Sequence, residues 1–225
     1  MVFPVVFRKG AEAVIASFDG IDLIQGKGLV KLLGGGTQDS AGIKYRLSKT
    51  AFYTSVTSPT VMQNFIEVTV SATSSTKVID LDFDTDVFNL PATIEGIAVN
   101  NIPTQTITSA ADQTGEYFCT VVYKRVAVGG AETDLISASS NTVSWTDSTD
   151  LVDKYFSFTS DIPATTFKVG EKLRITVEIW AKRIGAGNSN VIIFFSPNNT
   201  VITNTWTQNA NFTQMMYLVP FKIDL

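Results

Sequence analysis

The residues in this sequence most able to hold a metal ion are four aspartates on one short stretch. Asp80, Asp82, Asp84 and Asp86 occupy every second position of the run VIDLDFDTD. Side chains two residues apart on a β-strand share a face at a spacing of about 7 Å, so these carboxylates repel one another unless cations lie between them. Because carboxylate oxygens are the ligands that calcium prefers, the pattern predicts either a calcium site or ion pairs with basic residues of a neighbouring strand.

The same run does not match the loop of a helix-loop-helix calcium site. Counted from Asp80, the sixth position is Thr85 where such a loop needs glycine, and the twelfth is Pro91 where it needs glutamate. We therefore expect an acidic face that is either solvated or paired with lysine and arginine of an adjacent strand, with calcium at a junction between subunits as the second interpretation and no other cofactor.

Three tryptophans, Trp145, Trp180 and Trp206, are candidates for recognition. Trp180 falls on the polar face of an alternating strand, where an exposed indole is unusual. A flat aromatic face can stack on a sugar, whereas tryptophan is also enriched at protein interfaces. The three residues are predicted to bind a glycan or to lie in a contact between subunits, and the subunit contact is favoured.

The chain contains no histidine. This removes the serine-histidine and cysteine-histidine nucleophiles, the common zinc sites and the usual proton shuttle near neutral pH. A pair of carboxylates could still perform general acid and base chemistry on a glycoside, but any protein with 21 acidic residues permits such a pair. The sequence predicts that the protein is not an enzyme.

Composition and charge limit the partners and the compartment. The net charge of -4 and the absence of a basic run argue against nucleic acid. The single cysteine, Cys119, cannot form an intrachain disulfide and is expected to be a small buried side chain. The N-terminal segment MVFPVVFRKG does not resemble a signal peptide and no apolar run has membrane-spanning length, so the chain is expected to be soluble and made in a cytoplasm.

The elements that must position these residues are β-strands. From Lys172 to Arg183 apolar and polar residues alternate, which predicts a strand with one buried face. The loop GAGNSN and the apolar run Val191 to Phe195 predict that this strand forms an antiparallel hairpin. Pro103 is expected to break an earlier strand, and Pro220 predicts an edge position or a bulge in the last one.

About ten such strands and no confident helix predict an all-β protein, an antiparallel two-sheet β-sandwich with a jelly-roll-like arrangement. Its length suits a single domain. Residues 1–60 are assigned to an N-terminal arm and first strands, and residues 61–225 to the sandwich.

Two segments resemble a family of small virion proteins of tailed phages and archaeal viruses. The first is GKGLVKLLGGGTQDSAGIKYRLSKTAFYTS followed by DLDFDTDVFNLPATIEGIAVNNIP, and the second is FKVGEKLRITVEIWAKRIGAGNSNVIIFFSPNN. Phe167, Gly170, Leu173, Arg174 and Pro197 occupy matching places, and the resemblance spans most of residues 27–199. Glu171 and Ser196 stand where the family pattern has aspartate.

This resemblance implies a jelly-roll or related sandwich on the outside of a virus particle, as a capsid, decoration, turret, spike or fibre component, with no catalytic residues. The implied partners are copies of the same chain in a trimer or higher ring and other virion proteins, in a particle assembled in the host cytoplasm. The alternative is a carbohydrate-binding or adhesin module that recognises a cell-surface glycan.

Overall fold

The computed structural model describes residues 16–17, 27–39, 42–49, 61–63, 65–108, 113–146, 152–197, 199 and 213–222. The regular elements in these ranges are all β-strands: β1 (Ala16–Ser17), β2 (Lys27–Asp39), β3 (Gly42–Ser48), β4 (Val61–Gln63), β5 (Phe65–Val70), β6 (Thr76–Asp84), β7 (Ala92–Ile107), β8 (Gly115–Val126), β9 (Glu132–Ser139), β10 (Val143–Trp145), β11 (Val152–Phe167), β12 (Lys172–Arg183), β13 (Ser189–Phe194) and β14 (Met216–Lys222). The predicted all-β fold is confirmed.

The strands form one mixed sheet that does not close on itself. The main order of hydrogen-bonded strands is β10-β8-β12-β6-β3-β2-β14-β7-β13-β5. Outside this order, β9 pairs with β8, β11 pairs with β7, and β1 and β4 pair with β2. Within the described residues, the pairings are antiparallel except for one parallel bridge between Arg46 of β3 and Asp84 of β6. That bridge connects β10, β8, β12 and β6 to the rest of the path.

The alternation predicted for β12 is present, but its predicted hairpin partner is wrong. β12 pairs with β6 on one side and with β8 on the other, whereas β13 pairs with β5 and β7. At the end of β12, Arg183 donates its backbone N–H to the Ala72 carbonyl and Ile184 donates to the Thr114 carbonyl, and neither pairs with β13. The glycine-rich loop therefore crosses from one part of the sheet to another.

The strand break predicted at Pro103 is wrong, and of the two alternatives given for Pro220 the bulge is confirmed. Pro103 does not break a strand, since it lies buried inside β7 opposite Tyr155 of β11. Pro220 lies at a shift of register between Leu218 and Phe221, as a bulge requires, but β14 lies between β2 and β7 and is not an edge.

The core is built from the inward residues of alternating strands. Leu173, Ile175, Val177 and Ile179 of β12 are each 0% exposed and belong to the main apolar cluster. Phe83, Phe195 and Tyr45 pack against one another in tilted and edge-to-face arrangements at centroid distances of 5.3 to 5.8 Å. Burying aromatic and aliphatic side chains in this way contributes about 1.5–3 kcal/mol each to folding.

Polar contacts also cross this core. The Tyr123 hydroxyl of β8 donates to Oδ1 of Asn100 in β7 at 2.7 Å, and the Tyr117 hydroxyl lies 3.0 Å from the Thr104 hydroxyl. Nδ2 of Asn100 donates onward to the Ser160 hydroxyl of β11 at 2.9 Å. These buried groups therefore have partners, as buried polar groups require.

The assignment of residues 1–60 to an arm stays a prediction. Within that range the structure describes β1, β2 and β3, and β2 pairs with β14 from near the C-terminal end. The apolar residues Phe3, Val5 and Phe7 of this segment lie outside the described residues.

Candidate functional site

The predicted acidic residues lie next to the polar face of β12. In the register of β6 and β12, Asp84 faces Arg174, Asp82 faces Thr176 and Asp80 faces Glu178. Residues paired across two strands point to the same side of a sheet, so the outward residues of both strands form one surface. Asp86 follows the end of β6 and is exposed.

Asp84 is the most enclosed of the four acids. Its carboxylate accepts from Arg174 Nε at 2.6 Å and Nη2 at 2.8 Å, a bidentate arrangement, and it also accepts from Lys172 Nζ. Burial raises the pKa of Asp84, but the hydrogen bonds from Arg174 and Lys172 outweigh burial, so its pKa lies below the ordinary value. The hydrogen bond to Asp84 in turn raises the pKa of Arg174.

The ion pairs continue across the sheet to β9. Arg174 Nη1 contacts Asp82 at 3.1 Å and Glu132 at 2.6 Å, and Lys124 of β8 contacts Glu132 at 3.2 Å. The Thr176 hydroxyl donates to Asp82 at 2.6 Å. We call Asp82, Asp84, Lys124, Glu132, Lys172 and Arg174 the charged ladder. It supplies the basic neighbours that the acidic strand was expected to need.

Asp80 lies apart from the charged ladder. Lys77 Nζ bridges Asp80 at 2.6 Å and Glu178 at 3.0 Å. Among the residues that the structure describes, no group of three or more histidine, cysteine, aspartate or glutamate side chains could hold a metal ion. The calcium prediction for the four aspartates stays a prediction, and a calcium-dependent rise in melting temperature is the observation that would support it.

The three tryptophans occupy different environments. Trp145 is 3% exposed and packs on Tyr117 at a centroid distance of 5.7 Å, so its ring belongs to the core. Trp206 lies outside the described residues. Trp180 is partly exposed on the outward face of β12, parallel to the ring of Phe118 with an interplanar angle of 4° and a centroid distance of 6.3 Å. We call Phe118 and Trp180 the aromatic pair.

The aromatic pair is held in place by polar neighbours. Trp180 Nε1 donates to Glu178 Oε2 at 2.8 Å, and the other oxygen of Glu178 accepts from Lys77. At the opposite end of the pair, Lys182 contacts Glu116 at 3.1 Å. The indole is therefore fixed in one orientation with hydrogen-bonding groups on both sides.

Cys119 is confirmed as a buried residue. It is 0% exposed, and burial raises the pKa of its thiol. A thiol in this environment stays protonated near neutral pH and is a poor nucleophile or metal ligand.

Sequence reasoning missed Glu132, Phe118 and Lys77 at this surface. The alternation of β12 already placed Lys172 and Arg174 on one face with Trp180, which was a usable signal. Glu132 follows the Gly129-Gly130 turn, and Phe118 lies on a strand with two apolar faces. Only the register of β8 against β12, which pairs Phe118 with Trp180, identifies the aromatic pair.

No protein-family model matches the chain, and no curated protein matches it in sequence. Among solved structures, it is similar to an alpha-amino acid ester hydrolase (12% identity, 84% of this chain and 36% of that chain, TM-score 0.49). It is also similar to an aminopeptidase from a marine sediment Thaumarchaeota archaeon (10% identity, 85% and 36%, TM-score 0.46). The structure of infectious bursal disease virus Gx strain matches with a TM-score of 0.27 (8% identity, 72% and 34%).

These neighbours contradict two predictions. The chain was expected to be a virion structural protein and not an enzyme, but the hydrolases match with higher TM-scores than the virus structure does. Both predictions are therefore wrong. The chain spans 36% of the length of each of these two hydrolases, and each of these TM-scores is below 0.5, so the likeness assigns no reaction to this chain.

The described residues include no helix that is long and apolar enough to cross a membrane.

Proposed function

We propose that this chain is a jelly-roll-like β-sandwich that binds a second copy of itself through the aromatic pair. The observation that carries the proposal is the partly exposed Trp180 ring, parallel to Phe118 and fixed by Glu178 on the outward face of β12. An aromatic side chain fixed before binding loses little conformational freedom when a partner covers it.

Contacts across the core support the two-layer arrangement. β8 and β7 are far apart along the sheet path, yet Tyr123 and Tyr117 of β8 reach Asn100 and Thr104 of β7. Tyr117 also packs on Phe156 of β11 at a centroid distance of 5.2 Å. A single sheet brings such distant strands together when it folds over, so that the two parts face each other as the layers of a sandwich do.

A second copy is favoured as the partner because the charges around the aromatic pair are balanced. Lys77 and Lys182 lie on either side of it, and so do the acids Glu178 and Glu116. In a dimer with two-fold symmetry the same patch meets itself, so a patch with both signs of charge can pair each lysine with a carboxylate of the other copy. A patch of one sign would repel its copy.

The experiment is sedimentation equilibrium of the wild type, Trp180→Thr and Val128→Thr. Val128 is 75% exposed in the turn after β8, so its substitution makes an exposed apolar side chain polar at a position away from the aromatic pair. We expect Trp180→Thr to raise the dissociation constant about 10- to 30-fold and Val128→Thr to leave it unchanged.

Equal dissociation constants for the three proteins would contradict the proposal. A wild type that stays monomeric at every concentration but binds an immobilised glycan through Trp180 would also contradict it, and would favour the glycan interpretation of this residue.

A further inference from the structure

An open cleft of about 590 Å³ lies where β3 and β6 meet. Among the described residues, the two strands are paired there through a single bridge, between Arg46 and Asp84. The described residues that line the cleft include Lys44, Arg46, Asp84, Asp86, Asn89 and Lys172. Its volume lies within the range of about 300–1,000 Å³ that is typical of small-molecule sites.

The charges of the cleft favour an anion near Arg46. The negative charge of Asp84 is already compensated by Arg174 and Lys172, on the side of β12. Arg46 is exposed and has no ion-pair partner among the described residues. As the bridge partner of Asp84 it points to the same side of the sheet, so its guanidinium adds positive charge beside an acid that is already paired.

The chemistry of Arg46 narrows the ligand class. A guanidinium presents paired N–H donors that match a carboxylate or a phosphate group. Asp86 and Asn89, on the segment after β6, add hydrogen-bonding side chains to the same cleft, and the exposed carboxylate of Asp86 is an acceptor for hydroxyl groups.

We propose that this cleft binds a small polyhydroxylated anion, a sugar phosphate or a sugar acid, with Arg46 contacting the anionic group. The site lies at the β3–β6 junction and does not include Phe118 or Trp180, so it goes beyond the proposed self-association and does not depend on it.

The test is a titration of isotopically labelled protein, followed by the amide chemical shifts, with glucose 6-phosphate, gluconate, glucose and inorganic phosphate. The variants are Arg46→Gln and the control Lys49→Gln, which removes an exposed positive charge just beyond the end of β3 and outside the residues that line the cleft. We expect saturable shifts confined to residues 44–46 and 84–89 with one or both hydroxylated anions. Glucose should produce none.

Arg46→Gln should weaken this binding at least 10-fold and Lys49→Gln less than 2-fold, because only Arg46 contacts the anionic group. Binding of glucose 6-phosphate alone would identify the phosphate, and binding of gluconate alone the carboxylate. The proposal is overturned if no anion binds more tightly than about 10 mM, if inorganic phosphate binds as tightly as both hydroxylated anions, or if the two variants behave alike.

Discussion

Asp84 makes the charged ladder sensitive to acid. Its pKa in the folded protein lies below the value of about 3.9 expected in the unfolded chain, because the hydrogen bonds from Arg174 and Lys172 outweigh its burial. A carboxylate whose pKa is depressed in this way stabilises the folded protein at pH values above the pKa of the same group in the unfolded chain. The contribution is lost as the pH falls from about 4 through the folded-state pKa.

We therefore expect Asp84→Asn to lower the free energy of unfolding at pH 7 by about 1–2 kcal/mol. The variant should also lose less stability than the wild type between about pH 4 and pH 2, because the group that titrates is gone. Urea denaturation across this pH range measures both effects.

The control is Asp80→Asn, since the Asp80 side chain is 49% exposed and pairs with Lys77 away from the ladder. It should change stability by less than about 0.5 kcal/mol. An Asp84→Asn protein as stable as the Asp80→Asn protein at pH 7 would show that the ladder contributes nothing through Asp84.

Gly115 is required for space at the start of β8. A Cβ atom there would lie 2.1 Å from Cζ2 of Trp145 and 2.5 Å from the carbonyl oxygen of Lys182. We expect Gly115→Ala to destabilise the protein by about 1–3 kcal/mol, measured by chemical denaturation, because both the ring and the neighbouring strand would have to move.

Gly129→Ala is the matched change, since no atom lies within 4 Å of the Cβ that it would add. Its effect should stay within about 0.5 kcal/mol. If both alanine variants unfold at the same denaturant concentration, the close packing of Trp145 on β8 is refuted.

At the scale of elements, the sequence predicted strands well and their partners poorly. The alternation of Leu173, Ile175, Val177 and Ile179 is a local property, and each of these residues is buried as expected. Strand pairing depends on residues far apart in the chain. β12 pairs with β6 and β8, whereas β13, the next strand in the chain, pairs with β5 and β7.

Because strand pairing depends on residues far apart in the chain, only some parts of the site could be predicted from the sequence. Basic neighbours of the acidic strand were an expected possibility, because four aspartates on one face repel one another without them. Their identity as Lys172 and Arg174 follows only from the register between β6 and β12. The position of Trp145 in the core follows from its contact with Tyr117 through β10, a strand of three residues that carried no readable pattern.

The contact between β8 and β7 gives a prediction at this scale. Tyr123→Phe removes the hydroxyl that donates to Asn100 and leaves Oδ1 of a fully buried asparagine without that donor. We expect a loss of about 1–3 kcal/mol in the free energy of unfolding. Tyr155→Phe, at a side chain that is 49% exposed, should cost less than about 0.5 kcal/mol.

Equal stability of the two tyrosine variants would mean that the hydroxyl of Tyr123 does not join β8 to β7. The support for a folded-over, two-layer sheet would then be reduced to the contacts of Tyr117.

At the scale of the whole molecule, the outward face of β6, β12 and β8 has two parts with different chemistry. The charged ladder pairs its own acids and bases. The aromatic pair lies on the same face and leaves part of its apolar surface exposed. Exposed apolar surface rimmed by polar groups is typical of an interaction site.

The most direct test of this account is hydroxyl-radical footprinting of the wild-type protein at low and high concentration, read by mass spectrometry. We predict that oxidation of Trp180 and Phe118 falls as concentration rises, while oxidation of Tyr155, which is 49% exposed on β11, stays constant. Oxidation of Trp180 that is the same at both concentrations, in a sample whose mass shows self-association, would contradict the central claim that copies meet through the aromatic pair.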